Sequence, residues 1–420
     1  DNDISRNARR VVEQLKHSGY SAYLVGGCVR DLLLDGHPKD FDVATNATPE
    51  QIRDIFKNSR IIGRRFRIVH VRFGREIIEV TTFRGSPKKR HSHSEHTQSD
   101  KGILLRDNVY GDIKSDALRR DFTVNALYYD PDDGAILDYT NGLEDLDKRQ
   151  LRIIGDPDAR YKEDPVRMLR AVRFAAKLGF SLTQETEAPI HIHADYLEDI
   201  PPARLFEEVL KLFISGYATA VLTKLRDFGL LRYLFPSTHY CLEQESEYYH
   251  RLVFATVTNT DKRLRTGKRV TPAFIYAAML WPSLHTKVKE LTEEQNFSPY
   301  DAMQQASQGV ISHQLSYTSI PKRFLKPMRE IWSLQLRLKR RDRRAHQLIE
   351  HPRFRAAYDF LLLREQAGEQ LDGLGLWWTR FQDADQHEKE QLIKSAGQHK
   401  SQRRPRRKKK NRKTNPQDNA

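Results

Sequence analysis

Asp40 and Asp42 stand two residues apart in the run KDFDVAT, Lys39 to Thr45. The run reads as a strand, and the strand period of two puts both carboxylates on one face. Like charges held so close raise each other's pKa unless a cation lies between them. A divalent metal whose remaining ligands are phosphate oxygens is the economical solution, although a bare D-x-D also occurs as a solvated strand end. The preceding residues favour the metal. Tyr23 to Val25 is a short apolar run ended by Gly26 and Gly27, and Val29 to Leu34 is apolar at helical density. Strand, glycine turn and helix in that order let the backbone approach a ligand and offer unpaired N–H groups to a phosphate.

Three further stretches carry groups that fit such a site. Glu79 lies in the strand-like run EIIEVTTF, Glu76 to Phe83, as either a solvated charge or a third metal carboxylate. Lys114 to Asp130 reads as a helix with Asp121 and Asn125 four residues apart on one face, beside Arg119 and Arg120. That face is either a surface ion-pair network or a polar wall of the nucleotide site, with Asp121 reaching a metal or a sugar hydroxyl and an arginine reaching phosphates. Lys162 to Phe180 reads as a helix with Asp164 at its N-cap, Pro165 in its first turn and a ridge of Arg167, Arg170 and Arg173. A carboxylate accepts from an exocyclic amine while arginine donates to the neighbouring ring nitrogen, an edge that adenine and cytosine both present. His91, His93, His96 and Glu95 fall in the polar run Ser86 to Gly102, which reads as a mobile loop rather than a metal site.

The elements that must position these groups follow from patterning. Ile4 to Lys16 forms a lead-in helix, Thr48 to Gln51 a capping box opening a helix to Phe56, and Ile61 to Val71 a strand region beside Glu76 to Phe83. Gly155-Asp156-Pro157 marks a first domain boundary, and from Leu197 onward the periodicity is helical. Basic residues Arg337 to Arg344, interleaved with Trp332, Tyr358, Trp377 and Trp378 nearby in sequence, suit single-stranded RNA as a pattern, while core packing is the expected role for most of those rings individually.

With 420 residues, 38% hydrophobic, the chain can build two or three cores. No apolar run reaches membrane-spanning length, and two cysteines give no disulfide framework, so a soluble, cytoplasmic protein is expected. The start at Asp1 without Met is read as a processed or trimmed N-terminus. The net charge is +15, and residues 400–420 hold ten Lys/Arg against one acid, Asp418. Arg403, Arg404, Arg406, Arg407, Lys408, Lys409 and Lys410 form the densest part of that tail, which reads as disordered and suited to a polyanion, nucleic acid first.

Taken together, LVGGCVRD, DFD, RRDFTVNALYYD and EDPVRMLRAVRF resemble the glycine, metal, ribose–triphosphate and base-recognition motifs of the class II nucleotidyltransferases of the polymerase β superfamily, the family of bacterial poly(A) polymerases and tRNA CCA-adding enzymes. The resemblance implies an α+β fold. A nucleotidyltransferase head with a mixed sheet and helices would span residues 1–155, followed by an all-α neck at 156–235, a helical RNA-binding body and leg region at 236–399, and the basic tail at 400–420. By position, Asp40, Asp42 and Asp121 are implied as catalytic. Gly26, Gly27, Arg30, Arg120 and Asn125 would bind the nucleotide, and Glu163, Asp164, Arg167 and Arg170 would recognise its base. The implied chemistry is nucleotidyl transfer assisted by two Mg²⁺ ions, with Mn²⁺ able to substitute.

Three features favour the polyadenylating branch, with ATP as substrate, RNA 3′ ends as acceptor and RNA-decay proteins as partners. The runs IIGRRFRIVHV, IPPARLFEE and HPRFRAAYDFL are similar to segments of those members; the basic tail suits sequence-indifferent RNA binding; and an adjacent His-Asp pair is missing. A CCA-adding enzyme and a non-catalytic RNA-binding adaptor on a decayed transferase fold are the alternatives.

Overall fold

The computed structural model describes residues 3–63, 67–85, 97–98, 104–106, 109–244 and 247–402. The histidine-rich residues 91–96 and the basic residues 403–410 lie outside the described residues. The chain packs as two units. The first comprises Asp1–Pro236, Thr260–Gly267 and Leu315–Ser319, and the second Ser237–Asn259, Lys268–Gln314 and Ile320–Ala420.

The first unit is built on a mixed seven-stranded sheet. Its strands are β1 (Ala22–Val25), β2 (Asp42–Thr45), β3 (Ser59–Ile62), β4 (Ile68–Phe73), β5 (Glu76–Thr82), β8 (Leu127–Tyr129) and β9 (Ile136–Asp138). β6 (Thr97–Gln98) and β7 (Leu104–Arg106) pair separately. The sheet order is β3-β4-β5-β2-β1-β8-β9, with β1 antiparallel to both neighbours and β2 parallel to β5. Helix α1 (Arg6–His17) starts at Ser5, whose hydroxyl accepts from the N–H groups of Asn7 and Ala8. Its stripe of Ala8, Val11, Val12 and Leu15 is fully buried, and each of the larger side chains contributes about 1.5–3 kcal/mol by leaving water. Helix α2 (Gly27–Leu33) follows β1 directly, and α3 (Pro49–Ile55) opens on the reciprocal Thr48–Gln51 capping box read from the sequence. One face of the sheet packs through Val25, Ala44, Phe83, Ala126 and Tyr128.

Three local readings change. β2 begins at Asp42, so Asp40 sits in the exposed bend before the strand rather than on it. Lys114 to Asp130 is not one helix: α4 (Ile113–Arg119) stops at Arg120, a 3-10 turn covers Thr123–Asn125, and Leu127–Tyr129 becomes β8. The apolar pair Ala126 and Leu127 and the ring of Tyr128 are fully buried, and β8 adds to β1, so sheet pairing overrides the helical spacing. Gly142 makes a close approach here, since a Cβ would stand 2.3 Å from the carbonyl oxygen of Thr123. It opens helix α5 (Gly142–Asp147), whose Asp145 accepts from the Thr123 hydroxyl at 2.7 Å.

Lys162 to Phe180 likewise divides. Asp156 caps α6 (Pro157–Glu163), Asp164 closes it in extended geometry, and α7 (Val166–Leu178) runs on to Gly179 at φ 67°. Asp164 is therefore a C-cap and not an N-cap, because Pro165 disfavours helical geometry in the residue before it. Helices α8 (Gln184–His193), α9 (Pro202–Phe213) and α10 (Ala218–Asp227) complete the part of the unit that positions the site.

The second unit is helical. Trp332, Tyr358, Trp377 and Trp378 are all at most 8% exposed. The indoles of Trp332 and Trp378 donate to the carbonyls of Ala277 and Leu338. These rings are core, not a stacking platform. The last helix runs Gln386–Gln402, so residues 400–402 extend it. Among the described residues no helix is long and apolar enough to cross a membrane.

Candidate active site

The carboxylates meet across two strands. Asp42 on β2 is in register with Glu79 on β5, and His70 on β4 reaches Glu79 Oε1 at 3.1 Å. Burial, then the Glu79 charge, pushes the Asp42 carboxyl up to about 6; Arg120 works against the rise and Asp40 adds to it. Among the described residues no three His, Cys, Asp or Glu side chains converge as a finished metal cage. Mg²⁺ does not need one, since it is held by one or two carboxylates with phosphates and water completing the shell. A half-buried carboxylate raised by two others is the environment a divalent cation relieves, and all the donors are hard oxygens. The residues present fit Mg²⁺.

The glycine turn lies against the arginine motif. Gly26, at φ 81°, precedes α2, and a Cβ there would stand 3.6 Å from the Asn125 carbonyl oxygen and 3.7 Å from Nη1 of Arg120. Arg30, 2% exposed, donates to the Asn125 amide oxygen at 2.5 Å and to Asp31, which also receives Lys177 of α7 at 3.1 Å. Asn125 in turn reaches Asp121 at 3.4 Å. Asp121 and Asn125 therefore do meet, through the 3-10 turn rather than along a helix face.

Arg120 is held by a residue the sequence reading passed over. Asp116, 1% exposed, accepts from Arg120 at 3.0 Å, Arg119 at 2.6 Å, the Tyr128 hydroxyl at 2.6 Å and the Arg84 backbone N–H at 3.0 Å. Burial alone would raise its pKa, but the two guanidinium groups hold it well below the usual carboxylate range. The signal was present in DALRRD, where Asp116 stands three and four residues before Arg119 and Arg120.

Asp121 receives Arg170 of α7 through Nε at 2.6 Å and Nη2 at 2.5 Å. Against burial, which would raise it, that pair brings the Asp121 carboxyl down to about 2. Arg30, Arg170 and Arg173 all lie 4.9 to 5.3 Å from the ring of Phe174, which packs on Phe122. The base-recognition candidates form a second group. Glu163 accepts from Arg160 and Arg167, both at 2.8 Å, and Asp164 from Arg204 of α9 at 2.8 Å. Arg160 also donates to the carbonyls of Arg119 and Arg120, at 2.5 and 2.6 Å, tying this group to the arginine motif. Arg204, 40 residues beyond Asp164, left no local signal.

Residues 22–152 match the family described as Poly A polymerase head domain. Residues 179–242 match the Probable RNA and SrmB- binding site of polymerase A, and residues 295–413 the Polymerase A arginine-rich C-terminus. Poly(A) polymerase I of Salmonella typhi is 49% identical over 392 residues, 90% of this chain and 83% of its own length. The CCA-adding enzyme of Lactobacillus helveticus is 39% identical over 216 residues, 51% of this chain and 52% of its own. Among solved structures, the Bacillus stearothermophilus CCA-adding enzyme in complex with CTP is similar at 26% identity and a TM-score of 0.58, covering 90% of this chain and 82% of that one. The mixed sheet with helices, followed by a mostly helical part, described above matches that fold. The chain belongs to the bacterial poly(A) polymerase I family of enzymes.

Proposed function

We propose that this protein adds AMP from ATP to RNA 3′ ends without a template, releasing pyrophosphate. The observation that supports this most is the junction of the in-register Asp42–Glu79 pair, on β2 and β5, with a glycine turn that faces a clamped arginine. Asp40, Asp42 and Glu79 would hold Mg²⁺, which supplies charge neutralisation to the primer hydroxyl and the departing pyrophosphate. The N-terminal N–H groups of α2 and the Arg120 guanidinium would bind the triphosphate. Asp116 keeps that guanidinium from collapsing onto the carboxylates. Asp121 and Asn125 face the sugar, and Arg170 exchanges Asp121 for the incoming nucleotide. Glu163, Asp164 and Arg167 would read the base edge, with Arg160 and Arg204 fixing the two carboxylates.

Adenylation is favoured over CCA addition because the likeness to poly(A) polymerase I extends through the helical second half, whereas the CCA-adding relative matches about half the chain. Such a tailing activity would operate in the cytoplasm, with RNA-decay proteins acting on its product. The test incubates the protein with Mg²⁺, a generic single-stranded RNA and each NTP in turn. Long ladders with ATP alone support the proposal. Two C and one A added to a truncated tRNA would replace it with CCA addition, and no incorporation would leave a non-catalytic RNA binder.

A further inference from the structure

The second unit carries a polar groove remote in sequence from the glycine, carboxylate, arginine and base-recognition motifs. Its volume is about 440 Å³, and it is lined by Phe297, Asp301, Gln304, Gln305, Gln308 and Arg329. That is within the range of about 300–1,000 Å³ found for small-ligand sites. Five of the six come from one loop and helix, Pro299–Leu315, where residues 301, 304, 305 and 308 share a face by helical spacing. Arg329 comes from the helix Lys322–Leu338, whose exposed Lys322, Lys326 and Arg329 lie on one face at spacings of four and three.

The chemistry of the lining is specific. Among the described residues, none of the three glutamine amides and neither Arg329 nor Lys326 has a side-chain hydrogen bond or ion pair with the protein. Asp301 is fixed from one side, accepting from the Ser298 hydroxyl at 2.6 Å. Phe297, which lines the groove, is 36% exposed, and Tyr300, three residues on, is 62% exposed. A glutamine amide offers a donor and an acceptor together, the pair that matches N6 and N7 of adenine. Asp301 accepts from an exocyclic amine and repels a carbonyl edge, which disfavours uracil. The basic row on the neighbouring helix attracts phosphates, and exposed aromatic rings stack on unpaired bases.

We propose that this groove is an adenine-preferring subsite for single-stranded RNA, bases held by Gln304, Gln305 and Gln308 and the backbone by Arg329. This rests on the reading that the protein extends RNA with adenylate, since that activity places such a ligand on the enzyme. The ligand is the RNA strand itself, distinct from the nucleotide bound at the carboxylates.

The test measures binding of oligoadenylate and oligouridylate of equal length to the full chain, without nucleotide or Mg²⁺. AMP incorporation by the wild-type protein is assayed in parallel. The proposal expects tighter binding of oligoadenylate, and a loss of about fivefold or more of that preference in the Gln304→Ala/Gln305→Ala/Gln308→Ala variant. Arg329→Ala is expected to weaken both oligomers alike and to reduce the salt slope by about one. All four positions are exposed, and an unchanged thermal midpoint confirms that each variant is folded. Equal binding of the two oligomers by the wild type, or an undiminished preference in the triple variant, overturns the subsite while leaving AMP incorporation to stand. Failure of wild-type incorporation with the preference intact overturns the catalytic reading instead.

Discussion

Arg120 is bound through its Nη2 to the buried Oδ2 of Asp116 at 3.0 Å, while its Nη1 faces the Gly26 turn. On the proposed reading this fixes one edge of the guanidinium and leaves the other for the triphosphate, with Asp116 acting only through Arg120. Asp116→Asn keeps the shape and removes the charge. Breaking a buried ion pair costs about 3 kcal/mol or more, so the thermal midpoint should fall. The KM for ATP should rise about tenfold, equivalent to about 1.4 kcal/mol, with little change in RNA affinity. Steady-state kinetics against ATP, beside RNA binding without ATP, checks the split; a uniform loss of both would make Asp116 merely structural.

The Asp121–Arg170 pair predicts an acid sensitivity with a defined sign. The folded carboxyl sits at about 2, below the unfolded value of about 4. The fold therefore favours the charged form, and its contribution is complete above about pH 4 and is lost as the pH falls toward 2. Asp121→Asn should flatten the fall in stability across that window by about 2 kcal/mol. Denaturant midpoints measured from neutral to acid pH test this, and parallel curves for both proteins would count against the pair.

Because the helix Gln386–Gln402 carries residues 400–402, the basic tail proper begins at Arg403. Removing residues 403–420 should weaken RNA binding most at low salt and reduce the slope of log affinity against log salt. Titrations at several salt concentrations read this directly. An unchanged slope would exclude the tail from RNA binding.

Local patterning brought out the residues of the candidate site, but far less of what supports them. The glycine turn, the DFD carboxylates and RRDF are each a short run visible in the sequence, although each alone left a structural alternative open and only their combination resembled a nucleotide site. Glu79 could be placed only as one of two alternatives, because its position depends on which strand lies beside β2. The Lys114–Asp130 stretch misled because Ala117, Leu118, Phe122 and Ala126 recur at helical intervals. Pairing of Leu127–Tyr129 with β1 decides otherwise, and that contact spans about a hundred residues of sequence. Arg204 was invisible for the same reason, since its carboxylate partner lies on another helix. Trp377 and Trp378 follow the core role expected for most of the aromatic rings near the basic run, closing a core with Phe354 and Phe381.

The central claim is that the carboxylates joined across β2 and β5 catalyse adenylate transfer. Asp42→Ala, assayed for AMP incorporation into single-stranded RNA with Mg²⁺ and in parallel for RNA binding without it, tests that claim most directly. The account predicts loss of incorporation by about a thousandfold or more, as for removal of a group acting on the transition-state charge, with RNA affinity nearly unchanged. Turnover comparable to wild type would contradict it.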